Sequence, residues 1–312
     1  MSLLLWTEKY RPSRVDDYVW RDAKQQKQIM QWVSEKSIPN ILLSGTQGLG
    51  KTSLINVLLH ELSVEPGDVL EINASEETSI DVVRTKILNF ASTIPYGDFK
   101  VIILEEADQL SLASMAAMKR IMEDYSESCR FLLTTNNPHK IIPPLHSRCQ
   151  TFHMTSLNRD EFRLRLAYIL TQENIQADVD TLDTFIEATY PDLRKAINSI
   201  QLNCVDGILT SPSSDSGSTS DWMIKMVELF KSGKITEARE FICNNADYND
   251  YPEIYRFLYR NLTLWGDSET QREDAIIEIR DGIVSDTIVA DREINLSAVL
   301  VKLTRIKNRK HE

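Results

Sequence analysis

Gly45-Thr46-Gln47-Gly48-Leu49-Gly50-Lys51-Thr52-Ser53 is the stretch on which the reading of this chain turns. Its first eight residues fit GxxxxGK[S/T]. They lie between an apolar run that reads as a strand, residues 40–44 (NILLS), and a helical pattern over residues 51–62. That strand–loop–helix context gives the motif its meaning. Glycines let backbone N–H groups turn inward around phosphates, and the opening helix adds a favourable dipole. Lys51 can then reach β- and γ-phosphates, and the Thr52 hydroxyl can ligate Mg²⁺. A nucleoside triphosphate held by Gly45 through Ser53 is therefore expected.

Outward from this loop, short apolar runs alternate with helical patterns. Residues 40–44, Val69–Asn73, 100–104 and 130–135 read as buried strands, and residues 51–62, Ile80–Ala91 and 111–124 as helices. In the second helix Ile80, Val83, Ile87 and Phe90 share one face. Such alternation implies an α/β fold, a parallel sheet covered by helices on both faces. From about Asn158 the strand runs stop, and residues 160–172, 179–188 and 192–203 read as three helices. TSPSSDSGSTS, residues 210–220, reads as a flexible linker, and the remainder is again helical in pattern. The expected organisation is an α/β nucleotide-binding domain over 1–156, a helical lid over 157–209, the linker, and an all-helical C-terminal domain over 221–312.

The third strand run ends in carboxylates, Val101-Ile-Ile-Leu104-Glu105-Glu106. In P-loop ATPases the first acidic position supports Mg²⁺ and the next polarises the attacking water. Glu105 takes the metal-supporting place, where Asp is usual and one methylene shorter, and Glu106 takes the general-base place. A solvated strand end would look the same in isolation; the phosphate loop upstream selects the catalytic reading.

Composition bounds the rest. The chain has 312 residues, 42% hydrophobic and 26% charged, which suits two or three folded domains. No apolar run is long enough to span a bilayer, and the apolar start is too short for a signal peptide. Cys129, Cys149, Cys204 and Cys243 are widely spaced and read as reduced thiols of a cytoplasmic protein. With 35 basic against 46 acidic residues the net charge is -11, so nucleic acid can be held only through a local basic stripe.

Further motifs stand in order along the chain: residues 6–12 (WTEKYRP), 69–75 (VLEINAS) with 80–84 (IDVVR), Asn136, 147–149 (SRC) and 190–194 (YPDLR). Together with the phosphate loop they resemble one family, the clamp-loader AAA+ ATPases: replication factor C small subunits and the ATPase subunit of bacteriophage clamp loaders. Trp6-Thr-Glu-Lys-Tyr10-Arg11-Pro12 is similar to the family's N-terminal signature, which implies that Tyr10, Arg11 and Pro12 pack beside the adenine. Val69-Leu-Glu-Ile-Asn73-Ala-Ser75, continuing to Ile80-Asp81-Val-Val-Arg84, resembles its second strand and DNA-facing helix. Asn136 matches sensor 1, and Ser147-Arg148-Cys149 matches the SRC motif, whose arginine acts in trans in the neighbouring subunit's ATP site. Tyr190-Pro-Asp192-Leu-Arg194 resembles the sensor 2 helix, which implies that Arg194 meets the γ-phosphate in cis. The matches span about Trp6 to Asn198. Leu49, Glu105, Pro191 and Met115 depart from the family pattern, Met115 standing where a Gln often links the DNA-facing helix to the ATP site.

The resemblance implies ATP with Mg²⁺, and an all-helical collar that assembles subunits into a pentameric homo- or hetero-oligomeric spiral. It also implies a sliding clamp and primer–template DNA as partners, with no membrane. The helix opening at Thr78 and Ser79, with Arg84, Lys119 and Arg120, would follow the DNA phosphates; each basic residue alone reads equally as a solvated helix face. Phe90, Ile94 and Tyr96 would face the clamp, Phe90 reading as readily as core. The short C-terminal domain leans toward the phage form, acting in a host cytoplasm. Two alternatives stand beside clamp loading: a non-hydrolysing ATP-binding scaffold subunit, suggested by Glu105 and Met115, and another AAA+ DNA-remodelling motor.

Overall fold

The apolar runs of the first half become strands because their side chains alternate between two covered faces. The computed structural model describes residues 5–76, 80–211 and 221–309. After α1 (Trp6–Lys9) and α2 (Ala23–Ser34), β1 (Ile41–Ser44) leads through the phosphate loop into α3 (Lys51–Glu61). There follow β2 (Val69–Asn73), α4 (Ile80–Ala91), β3 (Lys100–Glu105), α5 (Leu112–Asp124), β4 (Cys129–Thr135), α6 (Pro143–His146) and β5 (Gln150–His153). The sheet is parallel, in the order β2-β3-β4-β1-β5.

Val101 and Ile103 join Ile41, Leu43 and Leu132 beneath Leu54, Ile55 and Leu58 of α3 and Trp32 of α2. Ile102 and Leu104 join Leu42, Phe131 and Leu133 beneath Ile87 of α4 and Met118 and Met122 of α5. Each such buried side chain contributes about 2 kcal/mol, so the period-two pattern pins the register of every strand. On α4, Ile87 is buried and Phe90 half-buried. The side chains of Ile80 and Val83, expected on that same face, lie outside the described residues, as do Thr78 and Ser79.

β5 adds a strand to the four expected. QTFH buries only Phe152 and shows no apolar run. As an edge strand it is specified by pairing with β1, from Ile41↔Gln150 to Ser44↔His153.

The chain divides into two compact units, Met1–Ile169 with Pro191–Arg194, and Leu170–Tyr190 with Lys195–Glu312. After α7 (Arg159–Gln172) come α8 (Val179–Thr189) and α9 (Leu193–Leu202). The expectation that strands stop near Asn158 is corrected by a small antiparallel hairpin, β6 (Cys204–Val205) with β7 (Ile208–Leu209). Asp206 and Gly207 form its turn at φ of 50° and 79°, the pairing of residues that a two-residue hairpin with positive φ at both positions favours. Of the linker residues, 212–220 lie outside the described residues. The second unit continues with α10 (Asp221–Lys231), α11 (Ile235–Asn245), α12 (Tyr251–Arg260), α13 (Glu269–Asp286) and α14 (Arg292–Lys307). Phe230 stacks on Phe257 at 5.7 Å and meets Trp265 edge-on at 5.5 Å in its core. Among the described residues no helix is long and apolar enough to cross a membrane.

Candidate nucleotide site

Three neighbouring strands, β1, β4 and β3, end at one edge of the sheet. Crevices beyond the carboxyl ends of parallel strands are where α/β folds bind ligands. β1 delivers the phosphate loop there, β4 delivers Asn136, and β3 delivers Glu105 and Glu106.

The loop's shape depends on two left-handed glycines. Gly48 lies at φ 72° and Gly50, the N-cap of α3, at φ 80°. The first-turn N–H groups of α3 have no partner within the helix, and they point with the positive end of its dipole at the loop's hollow. Outside the loop, Arg21 Nη2 donates to the Leu49 carbonyl at 2.5 Å and Arg21 Nη1 to the Tyr18 hydroxyl at 3.0 Å. The C=O and N–H of a trans peptide point in opposite directions. Drawing the Leu49 carbonyl toward Arg21 therefore turns the Gly50 N–H inward.

Lys51 Nζ donates to the Gly45 carbonyl at 2.7 Å, the Thr46 carbonyl at 2.7 Å and Asn136 Oδ1 at 2.9 Å. The ammonium is pushed down to about 8, chiefly by burial and further by Arg194 and Arg21, against the opposing pull of Asp108 and Glu106. Lys51, Asn136, Glu106 and Arg194 are thus brought within electrostatic reach of one another. Asp192 joins them: its Oδ1 stands 2.0 Å from where a Cβ on Gly48 would lie, so a side chain there would have to displace this carboxylate as well as adopt a left-handed φ of 72°.

Thr52 Oγ1 donates to Glu105 Oε1 at 2.6 Å. These hard oxygens beside the phosphate loop suit Mg²⁺, which is held by one or two protein oxygens together with phosphates. Among the described residues no group of three or more His, Cys, Asp or Glu forms an all-protein metal cage, and Mg²⁺ needs none. Glu105, one methylene longer than the usual Asp, meets Thr52 with its carboxylate. Glu105→Asp draws that carboxylate back and leaves room for the ion; turnover is expected to stay within a few-fold of wild type or to rise. Steady-state hydrolysis checks this, and a collapse of turnover would show that the longer side chain is required.

Glu106 sits at φ 50°, a left-handed conformation that costs a non-glycine residue about 1 kcal/mol or more and marks functional positions. Its N–H donates to Thr134 Oγ1 at 3.2 Å, which ties this strained turn to β4.

Two residues of the site escape the motif reading. Asp108 is buried and accepts from Thr135 Oγ1 at 2.9 Å, the Asn136 N–H at 3.2 Å and Asn137 Nδ2 at 3.0 Å. Burial would raise its pKa, but these bonds outweigh burial and hold the carboxyl below its ordinary range. Asp108 thereby sets the backbone from which Asn136 reaches Lys51. Arg21 is the second, acting on Leu49. An acid two residues beyond the Glu105-Glu106 pair was the available signal for Asp108; Arg21 has none, because its partner is a backbone carbonyl.

Other expected residues lie elsewhere. Tyr10 packs edge-on against Tyr168 of α7 at 6.4 Å, and its carbonyl accepts from Arg165 at 2.8 Å. Arg11 pairs with Glu8 at 3.0 Å. Arg148 pairs with Glu123 of α5 and donates to the Pro144 carbonyl at 2.8 Å and Ser147 Oγ at 3.3 Å. Among the described residues no hydrogen bond or ion pair joins Arg148 to the phosphate loop. Arg84 is exposed on α4 and Lys119 half-buried on α5, where Arg120 pairs with Asp124 at 3.5 Å. Ile94 and Tyr96 are exposed. Met115 is core, packed with Ala74, Ala107 and Met118, so a Gln there would bury an amide that needs new partners.

The model of the AAA family, "ATPase family associated with various cellular activities", matches residues 41–157. In solved structures the chain is similar to the Thermotoga maritima RuvB Holliday junction branch migration motor. The TM-score is 0.53 at 14% identity, covering 62% of this chain and 64% of that one, a likeness of fold alone. In sequence it is 37% identical over 284 residues to the "Replication factor C small subunit" of Methanococcus vannielii, covering 88% of this chain and 83% of the relative. The Sulfurisphaera tokodaii protein of the same name is 35% identical over 323 residues, 96% of this chain and 95% of the relative. Sharing that identity across nearly the full length of both chains, this protein is an AAA ATPase and belongs to the replication factor C small-subunit family.

Proposed function

We propose that this chain is one subunit of a clamp loader, an oligomeric spiral that uses ATP to place a ring-shaped sliding clamp on primer–template DNA, with hydrolysis triggering release. The observation that carries the reading is the division of the site. Lys51, Thr52, Glu105, Glu106, Asn136 and Arg194 gather in one chain, while Arg148 is held on α5 by Glu123. A site lacking its arginine is completed by a neighbour's, and hydrolysis then reports assembly. Apolar side chains left exposed on α13 (Ile277, Val284) and α14 (Ile294, Val301) recur at helical spacing and support an assembly role for residues 221–312. The matched relatives are archaeal and of similar length, so length gives no ground for a phage form in particular.

DNA would be tracked by Arg84, Lys119 and Arg120, together with Thr78 and Ser79, on phosphates and without sequence preference. Tyr10, Arg11 and Pro12 would flank the adenine, and Phe90, Ile94 and Tyr96 would face the clamp. Single-turnover hydrolysis with and without clamp and primed DNA tests the proposal: stimulation by both supports it. A background rate with nucleotide bound supports the scaffold alternative, and steady hydrolysis on DNA without clamp supports a different motor.

Changing Arg84 and Lys119 together to Ala is expected to abolish DNA stimulation while ATP binding persists. Affinity for primer–template should fall equally across sequences, and the salt slope should shrink by about 2, one for each phosphate that the variant no longer neutralises. Binding measured on several sequences over a salt series checks this; a sequence-dependent loss contradicts phosphate tracking.

A further inference from the structure

Two charged side chains buried outside the nucleotide site, Asp68 and Lys100, hold the same loop. Asp68 is 0% exposed and Lys100 2%. The Asp68 carboxylate accepts the backbone N–H of Tyr96 at 3.0 Å and of Gly97 at 2.7 Å. The Lys100 ammonium donates to the Phe90 carbonyl at 2.7 Å and to the Thr93 hydroxyl, and lies 4.6 Å from the Phe90 ring centroid. Between these anchors the chain leaves the end of α4 and returns to β3. There Ile94 is 87% exposed and Tyr96 84%. The Tyr96 ring rests on Gly67, where a Cβ would stand 2.9 Å from it.

Burying a full charge is costly unless hydrogen bonds compensate it. Here the compensation comes from the last turn of α4 and from backbone N–H groups and a hydroxyl of the surface loop that follows it, a kind of segment that is ordinarily mobile. The consequence is a loop of defined shape. Apolar side chains carried on a backbone already held in place leave less chain freedom to lose on binding, which is how preorganisation raises affinity. An exposed Ile and Tyr two residues apart are suited to an apolar pocket on a protein surface.

The geometry points to Asp68 and Lys100 as positioning residues that hold Ile94 and Tyr96 as a preformed apolar finger for the sliding clamp. This rests on the clamp-facing reading of the loop given above. Full-length wild type, Asp68→Asn and Lys100→Met, each assembled with partner subunits and ATP, are titrated with clamp while amide exchange is followed in the same samples. Exchange at Tyr96 and Gly97 should rise at least about tenfold in Asp68→Asn while the amides of β3 and β4 stay protected. Clamp affinity should fall about tenfold in both variants. Wild-type exchange at these amides, or wild-type clamp affinity in both variants, overturns the proposal.

Gly67→Ala gives an arm that spares both buried charges, and it decides the matter if those variants fail to fold. Its Cβ displaces the Tyr96 ring, so clamp affinity should fall several-fold; wild-type affinity there, beside a loss in Tyr96→Ala, overturns the preformed finger. Clamp affinity unchanged in the Ile94→Ala, Tyr96→Ala double variant overturns the clamp-facing reading itself.

Discussion

Lys51→Ala is expected to abolish productive ATP binding and turnover. The Lys51 ammonium is the cation seated inside the phosphate loop, on the Gly45 and Thr46 carbonyls and Asn136 Oδ1. Its proton affinity is lowered to about 8 chiefly by burial, which the negative charge of Asp108 and Glu106 offsets only in part. Phosphates add negative charge, so bound nucleotide raises the lysine's pKa. Two consequences share one sign. Alanine removes the main countercharge to the β- and γ-phosphates, while wild-type affinity declines as pH rises above about 8. Above that value the free site has lost its proton and binding must take one up, at up to about tenfold in affinity per pH unit. Nucleotide titrations over pH 7 to 9 with steady-state hydrolysis check both arms. Unchanged affinity and turnover in Lys51→Ala would refute the phosphate-loop assignment.

Chains carrying Arg148→Ala and chains carrying Lys51→Ala, each inactive alone, are expected to recover hydrolysis when mixed. The γ-phosphoryl oxygens gain charge in the transition state, and a guanidinium placed there raises the rate by ~10³–10⁵. Arg148 stands on the Glu123 carboxylate and the Pro144 carbonyl, and Glu123 is held below its ordinary pKa first of all by that hydrogen bond. It is thus presented on α5 and α6, while Lys51 of its own chain sits in the phosphate loop within electrostatic reach of Arg194. In a head-to-tail assembly one interface can join an intact Lys51 site with an intact Arg148. Activity should peak near equal proportions of the two variants. No recovery at any ratio would show that Arg148 does not act in trans, and the proposed division of the site would fall with it.

Much of the site is legible from residues alone because its chemistry demands fixed types at fixed spacing. Gly48 and Gly50 occupy left-handed positions, Lys51 and Thr52 open α3, and Glu105 and Glu106 end β3 where the apolar run stops. The turn of the β6–β7 hairpin was equally readable, since Asp206-Gly207 is a strong local signal, yet its strands are two residues each and carry no periodicity. Met115 shows the reverse. A family position suggests a polar link there, while its neighbours in space make it core.

Sequence by itself determined the α/β class, the phosphate loop and the carboxylate pair, because each depends on contacts within a few residues or on simple alternation. Tertiary structure alone decided the rest. β5 exists because β1 offers it an edge, Asp108 matters because β4 brings Asn136 above it, and Arg21 matters because a carbonyl 28 residues away turns toward it. Asp68 and Lys100 look like ordinary surface charges in a linear reading. Their burial beneath the loop of Ile94 and Tyr96 follows from packing between β2, β3 and α4, and no local pattern encodes where a folded chain will close over a charge.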